Sequence, residues 1–214
     1  MACFVNASVQ PIKTIFKTKI AKSSAHWHVQ ARTEVGVNRM SLPIEAGLAR
    51  RAQPAAYYYP LSSAQKSIWF DQALHPDLPL YNIGLLASFS GRIDCSLLEE
   101  AVERVVKAHD ALRMSVEIVD GAPMLLVSDD ATFLLETINF SNSTNPVKAV
   151  DEFVAREFSR PFDLSGRLWK LVLLKISNTE YVLLSKFHHL ISDGIGINLF
   201  GKAVADYYNE LLSG

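Results

Sequence analysis

Between Tyr57 and Leu212 the chain switches its hydropathy period from block to block, and this alternation restricts the possible folds more than any other feature. Strand-length apolar or alternating runs occur at about 82–90, Leu112 to Val119, Pro123 to Val127, near 133–138, Leu168 to Ile176 and Tyr181 to His189. Helical spacing occupies about 63–73, the stretch beyond Asp94 or Ser96, Pro146 to Arg160 and Ile195 to Leu212. Two strand pairs read as hairpins. Asp120-Gly121 is a two-residue turn whose residue types tolerate left-handed backbone, and Ser177 to Glu180 joins the last two strands.

The helical segments are one-sided. In the first, Ser63 is the candidate N-cap and Ile68, Trp69 and Ala73 the buried positions. In the second, Leu97, Leu98, Ala101, Val102, Val105 and Ala108 make one stripe, and Glu99, Glu100, Glu103, Arg104 and Lys107 face water. The third buries Val147, Val150, Phe153, Val154 and Phe158. Such blocks predict an α+β fold, a mixed α/β sandwich with a largely antiparallel sheet and packed helices.

Composition separates this patterned region from what precedes it. Residues 1–39 hold six basic side chains (Lys13, Lys17, Lys19, Lys22, Arg32 and Arg39) against Glu34 alone, a local net of +5, which leaves −6 for residues 40–214. Residues 1–56 therefore read as a basic, poorly patterned leader, and 57–214 as the folded unit. Three readings of the leader are open: an organelle transit peptide, a tail without a role, or an over-extended start with Met40 as the true first residue. The last is favoured, because Met40 leads through Ser-Leu-Pro-Ile-Glu straight toward the patterned region.

The total charge of −1 supplies no field to recruit nucleic acid or an acidic membrane surface. No stretch approaches the ~18 apolar residues of a membrane span. Cys3 and Cys95 are too few for a disulfide framework or a four-cysteine zinc site, which fits a reducing compartment; the expected address is cytoplasmic.

The chemistry concentrates where the last strand gives way to the last helix, in Phe187-His188-His189-Leu190-Ile191-Ser192-Asp193-Gly194. Strand period puts Leu183, Ser185, Phe187 and His189 on one face and Leu184, Lys186 and His188 on the other, so only one histidine can enter a given cleft. A neutral imidazole is a natural general base near neutral pH. Asp193 is placed to orient it or to pair with a cation, and Gly194 lets the backbone turn sharply and approach what lies opposite. Taken alone, a His-His dipeptide with a nearby Asp is weak evidence, and structural histidines with a helix-capping aspartate are the better explanation of the segment. Adjacent strand histidines point to opposite faces and do not make a metal site.

His188-His189-Leu190-Ile191-Ser192-Asp193-Gly194 resembles the HHxxxDG signature of the condensation domains of nonribosomal peptide synthetases, within the chloramphenicol-acetyltransferase-like acyltransferase superfamily. Ser63 to Phe70 resembles the first core motif of that family, SxAQxRxW. Lys107 to Met114 resembles the second, RHExLRT, with Ala108 where arginine is usual and Asp110 for glutamate. Ala205-Asp206-Tyr207-Tyr208 resembles the aromatic-rich fourth motif. The ordered set covers about 57–212.

The resemblance implies an amide-forming acyltransferase. His189 would be the base or positioning group, His188, Asp193 and Gly194 would complete the motif, and Asp193 would form a structural ion pair with Arg113. The substrates would arrive as thioesters on the phosphopantetheine arms of carrier domains, with adenylation domains in the same assembly line and no metal or nucleotide cofactor bound directly. A complete domain of this family has two similar halves, about twice the patterned length here. The chain is therefore expected to be the N-terminal half, active only alongside the missing C-terminal half, or else an inert truncated half that binds a carrier domain or partner.

Overall fold

A computed structural model describes residues 50–52 and 56–213, with side chains described from Tyr57 onward. Its centre is an antiparallel hairpin, β7 (Trp169–Lys175) and β8 (Glu180–His188), whose inner residues are almost all buried. The strand β3 (Asn82–Ser90) pairs antiparallel along the whole of β8, with Asn82 opposite His188 and Ser90 opposite Glu180. On the other side of β7 the short strand β6 (Glu136–Asn139) pairs in parallel, completing the order β3-β8-β7-β6. The expectation of a largely antiparallel sheet therefore holds with one exception. The helix α3 (Pro146–Phe158) supplies the crossover that a parallel β6–β7 pair requires.

A second sheet has the order β1-β2-β5-β4, all antiparallel, from β1 (Arg50–Ala52), β2 (Ala56–Pro60), β4 (Met114–Val119) and β5 (Ala122–Val127). In the β4–β5 turn Asp120 has φ 52° and Gly121 φ 79°, the backbone that this dipeptide predicts. β1 lies inside the segment read as an unpatterned leader; three residues are too few to show a strand period. Residues 1–49, including Cys3 and Met40, lie outside the described residues.

The helices α2 (Cys95–Ala108) and α4 (Gly194–Ser213) cover one face of the first sheet, where Leu85, Leu98, Val102, Val105, Leu171, Leu173, Phe187, Phe200, Val204 and Tyr208 form the main core. α3 covers the other face through Val150, Phe153 and Val154 against Val172, Leu174, Val182 and Leu184. The helix α1 (Ser63–Leu74) packs Ile68 and Trp69 on a third cluster, Leu61, Val116, Leu125, Leu168 and Leu190, which joins the two sheets.

Several local expectations are corrected. Ser62, not Ser63, caps α1: its Oγ accepts from Gln65 N while Gln65 Oε1 accepts from Ser62 N, a reciprocal capping box. Ala73 is exposed and Gln72 buried on that helix, because the Gln72 amide donates to the carbonyls of His75 and Leu78 beyond its end. Ala108 and Val147 are exposed, whereas Val106 and Glu157 are buried. Glu99 and Glu103 do not simply face water: their carboxylates accept from the main-chain N–H groups of Leu135 and Phe133. Those amides are thereby committed to α2, and the strand expected near 133–138 starts only at Glu136.

Candidate functional site

β8 ends at His188, and the next five residues form the loop that leads into α4. The two histidines part as the strand period requires. His188 is fully buried on the α3 side, with its ring 5.9 Å from that of Tyr81 and 6.1 Å from that of Phe162. His189 is exposed, and its N–H donates to the Tyr81 carbonyl at 2.9 Å, which extends the β3–β8 pairing by one residue.

The hydrogen bonds fix complementary tautomers. His188 Nδ1 accepts from Leu190 N (3.2 Å), so its proton sits on Nε2, which has no hydrogen-bond partner among the described residues. His189 Nδ1 lies 2.9 Å from the Ser192 carbonyl oxygen. A carbonyl can only accept, so neutral His189 carries its proton on Nδ1 and its lone pair on Nε2. That is the form in which an imidazole takes a proton. Burial, helped by the neighbouring charges of His189 and Lys186, pushes the His188 pKa down to about 4. At neutral pH His189 therefore has an uncharged imidazole beside it.

A polar cluster supports the His188 side from below. Lys186 Nζ donates to the carbonyls of Glu157 (2.8 Å) and Arg160 (2.6 Å) and lies 4.4 Å from the centre of the Phe162 ring. Asn82 Nδ2 donates to the carbonyls of Phe158 and Arg160. Two strand side chains thus satisfy carbonyls that the end of α3 leaves open. Burial lowers the Lys186 pKa to about 8, against the pull of the Glu157 charge. Glu157 itself is buried and shared between Arg160 (2.7 Å) and Lys170 (3.2 Å). A Cβ on Gly84 would fall against the Ser185 carbonyl oxygen and 2.5 Å from the tip of the Phe158 ring, so this close approach of β3, β8 and α3 requires glycine.

Asp193 and Arg113 are not brought together. Asp193 Oδ1 accepts from Gly196 N (2.8 Å) and its carbonyl from Ile197 N, so it caps α4. Arg113, at the end of the 3-10 turn Asp110–Arg113, donates through Nε to the Ser128 carbonyl and through Nη1 to the Lys107 carbonyl at the end of α2; Nη2 pairs with Asp110. The physical reason is local: the open carbonyls of a helix C-terminus and an acid three residues away satisfy the guanidinium. Gly194 opens α4 without left-handed backbone, and a Cβ there would meet nothing within 4 Å among the described residues. Between the loop and α4 lies a hollow of roughly 210 Å³ lined by His109, Leu112, Phe187, Ser192, Leu199 and Phe200, among others. No group of residues suited to a metal ion occurs among the described residues, and no described helix is long and apolar enough to cross a membrane.

With the loop so arranged at a strand end between two layers, comparison with known proteins becomes specific. The family model for the condensation domain matches residues 55–214, and the chain belongs to that family. It is 30% identical over 164 residues to bacitracin synthase 2 of Bacillus licheniformis, covering 76% of this chain and 6% of that protein. It is 29% identical over 199 residues to gramicidin S synthase 2 of Brevibacillus brevis, covering 92% of this chain and 4% of that one. The crystal structure of the starter condensation domain of rhizomide synthetase superimposes with a TM-score of 0.70 at 28% identity, over 73% of this chain and 38% of that one. The chain thus spans a small fraction of these synthetases and well under half of the solved condensation domain. The fold is the α+β, chloramphenicol-acetyltransferase-like one expected from the sequence.

Proposed function

We propose that this chain is the first portion of an amide-forming condensation domain and that His189 is its base or positioning group. The observation that carries the reading is the exposed His189, its imidazole held by the Ser192 carbonyl through Nδ1 so that Nε2 keeps the lone pair. The α-amine of an acceptor aminoacyl thioester attacks the carbonyl carbon of a donor acyl or peptidyl thioester. The C–N bond forms, the C–S bond breaks, and His189 Nε2 relays the amine proton toward the departing thiolate. Both thioesters ride on the phosphopantetheine arms of carrier domains, and the reading calls for no metal and no directly bound cofactor. Tethering supplies much of the acceleration through proximity. The structure of the rhizomide relative in complex with C8-CoA and Leu-SNAC supports this class of substrate.

Carrier domains, adenylation domains and the second half of the domain are the partners this reading requires. The test supplies the second half in trans and follows product from two loaded carriers: His189→Ala should slow condensation by about 10²–10⁴, and equal rates would sink the assignment. A second reading is an inert half-domain that binds a carrier or partner only; the match spans 38% of the solved relative. Carrier binding without any condensation by the reconstituted domain would select it.

A further inference from the structure

We infer that Gln65 is a positioning residue for the His189 loop, a role that rests on the function proposed above and goes beyond it. Gln65 is the third residue of α1, distant in sequence from the histidines. Its side chain bridges the two: Oε1 accepts from Ser62 N at 3.0 Å, closing the α1 capping box, and Nε2 donates to the Leu190 carbonyl at 3.1 Å.

Leu190 is the residue next to His189, and all of its groups are engaged. Its N–H goes to His188 Nδ1, its carbonyl to Gln65, and its buried side chain packs in the cluster with Leu61 and Leu168, against which Ile68 and Trp69 of α1 also lie. Leu190 is therefore the anchor from which the exposed residue before it projects. The Ser192 carbonyl that holds His189 Nδ1 lies two residues further along the same loop. Fixing the Leu190 carbonyl fixes the peptide plane between Leu190 and Ile191, and so the distance over which Ser192 reaches back to His189. Among these hydrogen bonds, the one made by a side chain from outside the loop and its strand is that of Gln65. The two ends of its amide do different work, because the oxygen serves the helix and the nitrogen serves the loop.

That division makes the inference testable in the 214-residue chain. Gln65→Glu keeps an acceptor for Ser62 N in nearly the same shape but cannot donate to Leu190 when ionised. Ser62→Ala removes the hydroxyl acceptor of the capping box and leaves the Leu190 bond intact. The readouts are the melting temperature, the amide exchange of Ile191, and the imidazole ¹⁵N spectrum of His189, which reports which nitrogen carries the proton.

Gln65→Glu should leave the melting temperature near that of the wild type, speed Ile191 exchange about five- to tenfold, as loss of one hydrogen bond implies, and mix the His189 tautomers. Ser62→Ala should lower the melting temperature and leave the tautomer unchanged. If Gln65→Glu leaves both the tautomer and the exchange as in wild type, or if both variants shift them alike, Gln65 is a helix cap and nothing more. In the domain completed with its second half, Gln65→Glu should lower kcat about tenfold at unchanged KM, the same single bond expressed as a rate. Should His189→Ala retain full condensation activity, the proposed function fails, while the tautomer result on this chain still stands or falls by itself.

Discussion

The two faces of the β3-β8-β7-β6 sheet do different jobs although the same strands build both. Toward α2 and α4 the buried positions are Leu85, Trp169, Leu171, Leu173, Leu183 and Phe187, with Ser185 and the Trp169 indole N–H, which donates to the Leu112 carbonyl, as the polar groups. Toward α3 the strands begin alike, with Val172, Leu174, Val182 and Leu184, but end in Lys186 and His188, both buried and both polar. The first face is an almost wholly apolar layer whose worth is burial. At its loop end the second face is equally buried, but with polar groups held in a network of directed bonds under the HHxxxDG segment. Stability thus resides mainly on one side and alignment on the other.

Four changes would break or sharpen this contrast. Phe187→Ala, on the apolar face against Phe200, should cost about 3–5 kcal/mol, read as a lower urea midpoint at unchanged slope. A loss under about 1 kcal/mol would deny that this face carries the stability.

Next in size is an acid effect on the polar face. The folded pKa of His188, about 4, lies below its unfolded value of ~6.5, so the unfolded chain binds the extra proton between those values. The stability is complete above pH ~6.5 and declines as pH falls toward 4, by on the order of 3 kcal/mol. Asp130 and Asp163, whose carboxyls are held below the usual carboxylate range by Thr132 and Ser165, titrate beneath this window. Urea titrations at pH 7 and 4.5 measure the decline, and a His188→Gln chain should lose it; persistence of the full slope in that variant would assign it elsewhere.

Gly84→Ala should cost about 1–3 kcal/mol by forcing β3 away from Ser185 and Phe158. A neutral result by thermal melting would show that α3 is free to yield. The smallest effect belongs to the exposed histidine. His189→Ala should leave stability within about 0.5 kcal/mol of wild type, and a larger drop would mean that His189 is part of the framework and not a group held out from it.

Local pattern made much of this arrangement readable. The Asp120-Gly121 turn, the α2 stripe and the split between His188 and His189 follow from periods of 2 and 3.6 and from turn chemistry, all of which depend on near neighbours. Some expectations failed on near neighbours, as with the Ser62 cap and the Arg113–Asp110 pair, and others on distant groups. The main-chain amides of Phe133 and Leu135 were claimed by glutamates on α2, and nothing near residue 133 announces that. Arg113 had two chemically reasonable acids, Asp193 and Asp110. The nearer one, together with the open end of α2, wins within this chain. Lys186 and Glu157 are charged residues that the meeting of β8 with the end of α3 makes core. Gln65 could have been found: a serine three residues before a glutamine is a capping-box signal, and it points to Ser62. Its second bond, to Leu190, has no local signature.

The register of β3 has a consequence for how the chain comes off the ribosome. β3 is among the early strands to be made, yet its neighbour in the sheet is β8, and its first residue, Asn82, lies opposite the last residue of β8, His188. A nascent chain that has not yet reached residue 188 carries a nine-residue strand with no finished edge to join, while the β4–β5 hairpin can close as soon as it emerges. Translation therefore completes the central sheet late, and the residues that immediately follow its completion are those of the His189 loop.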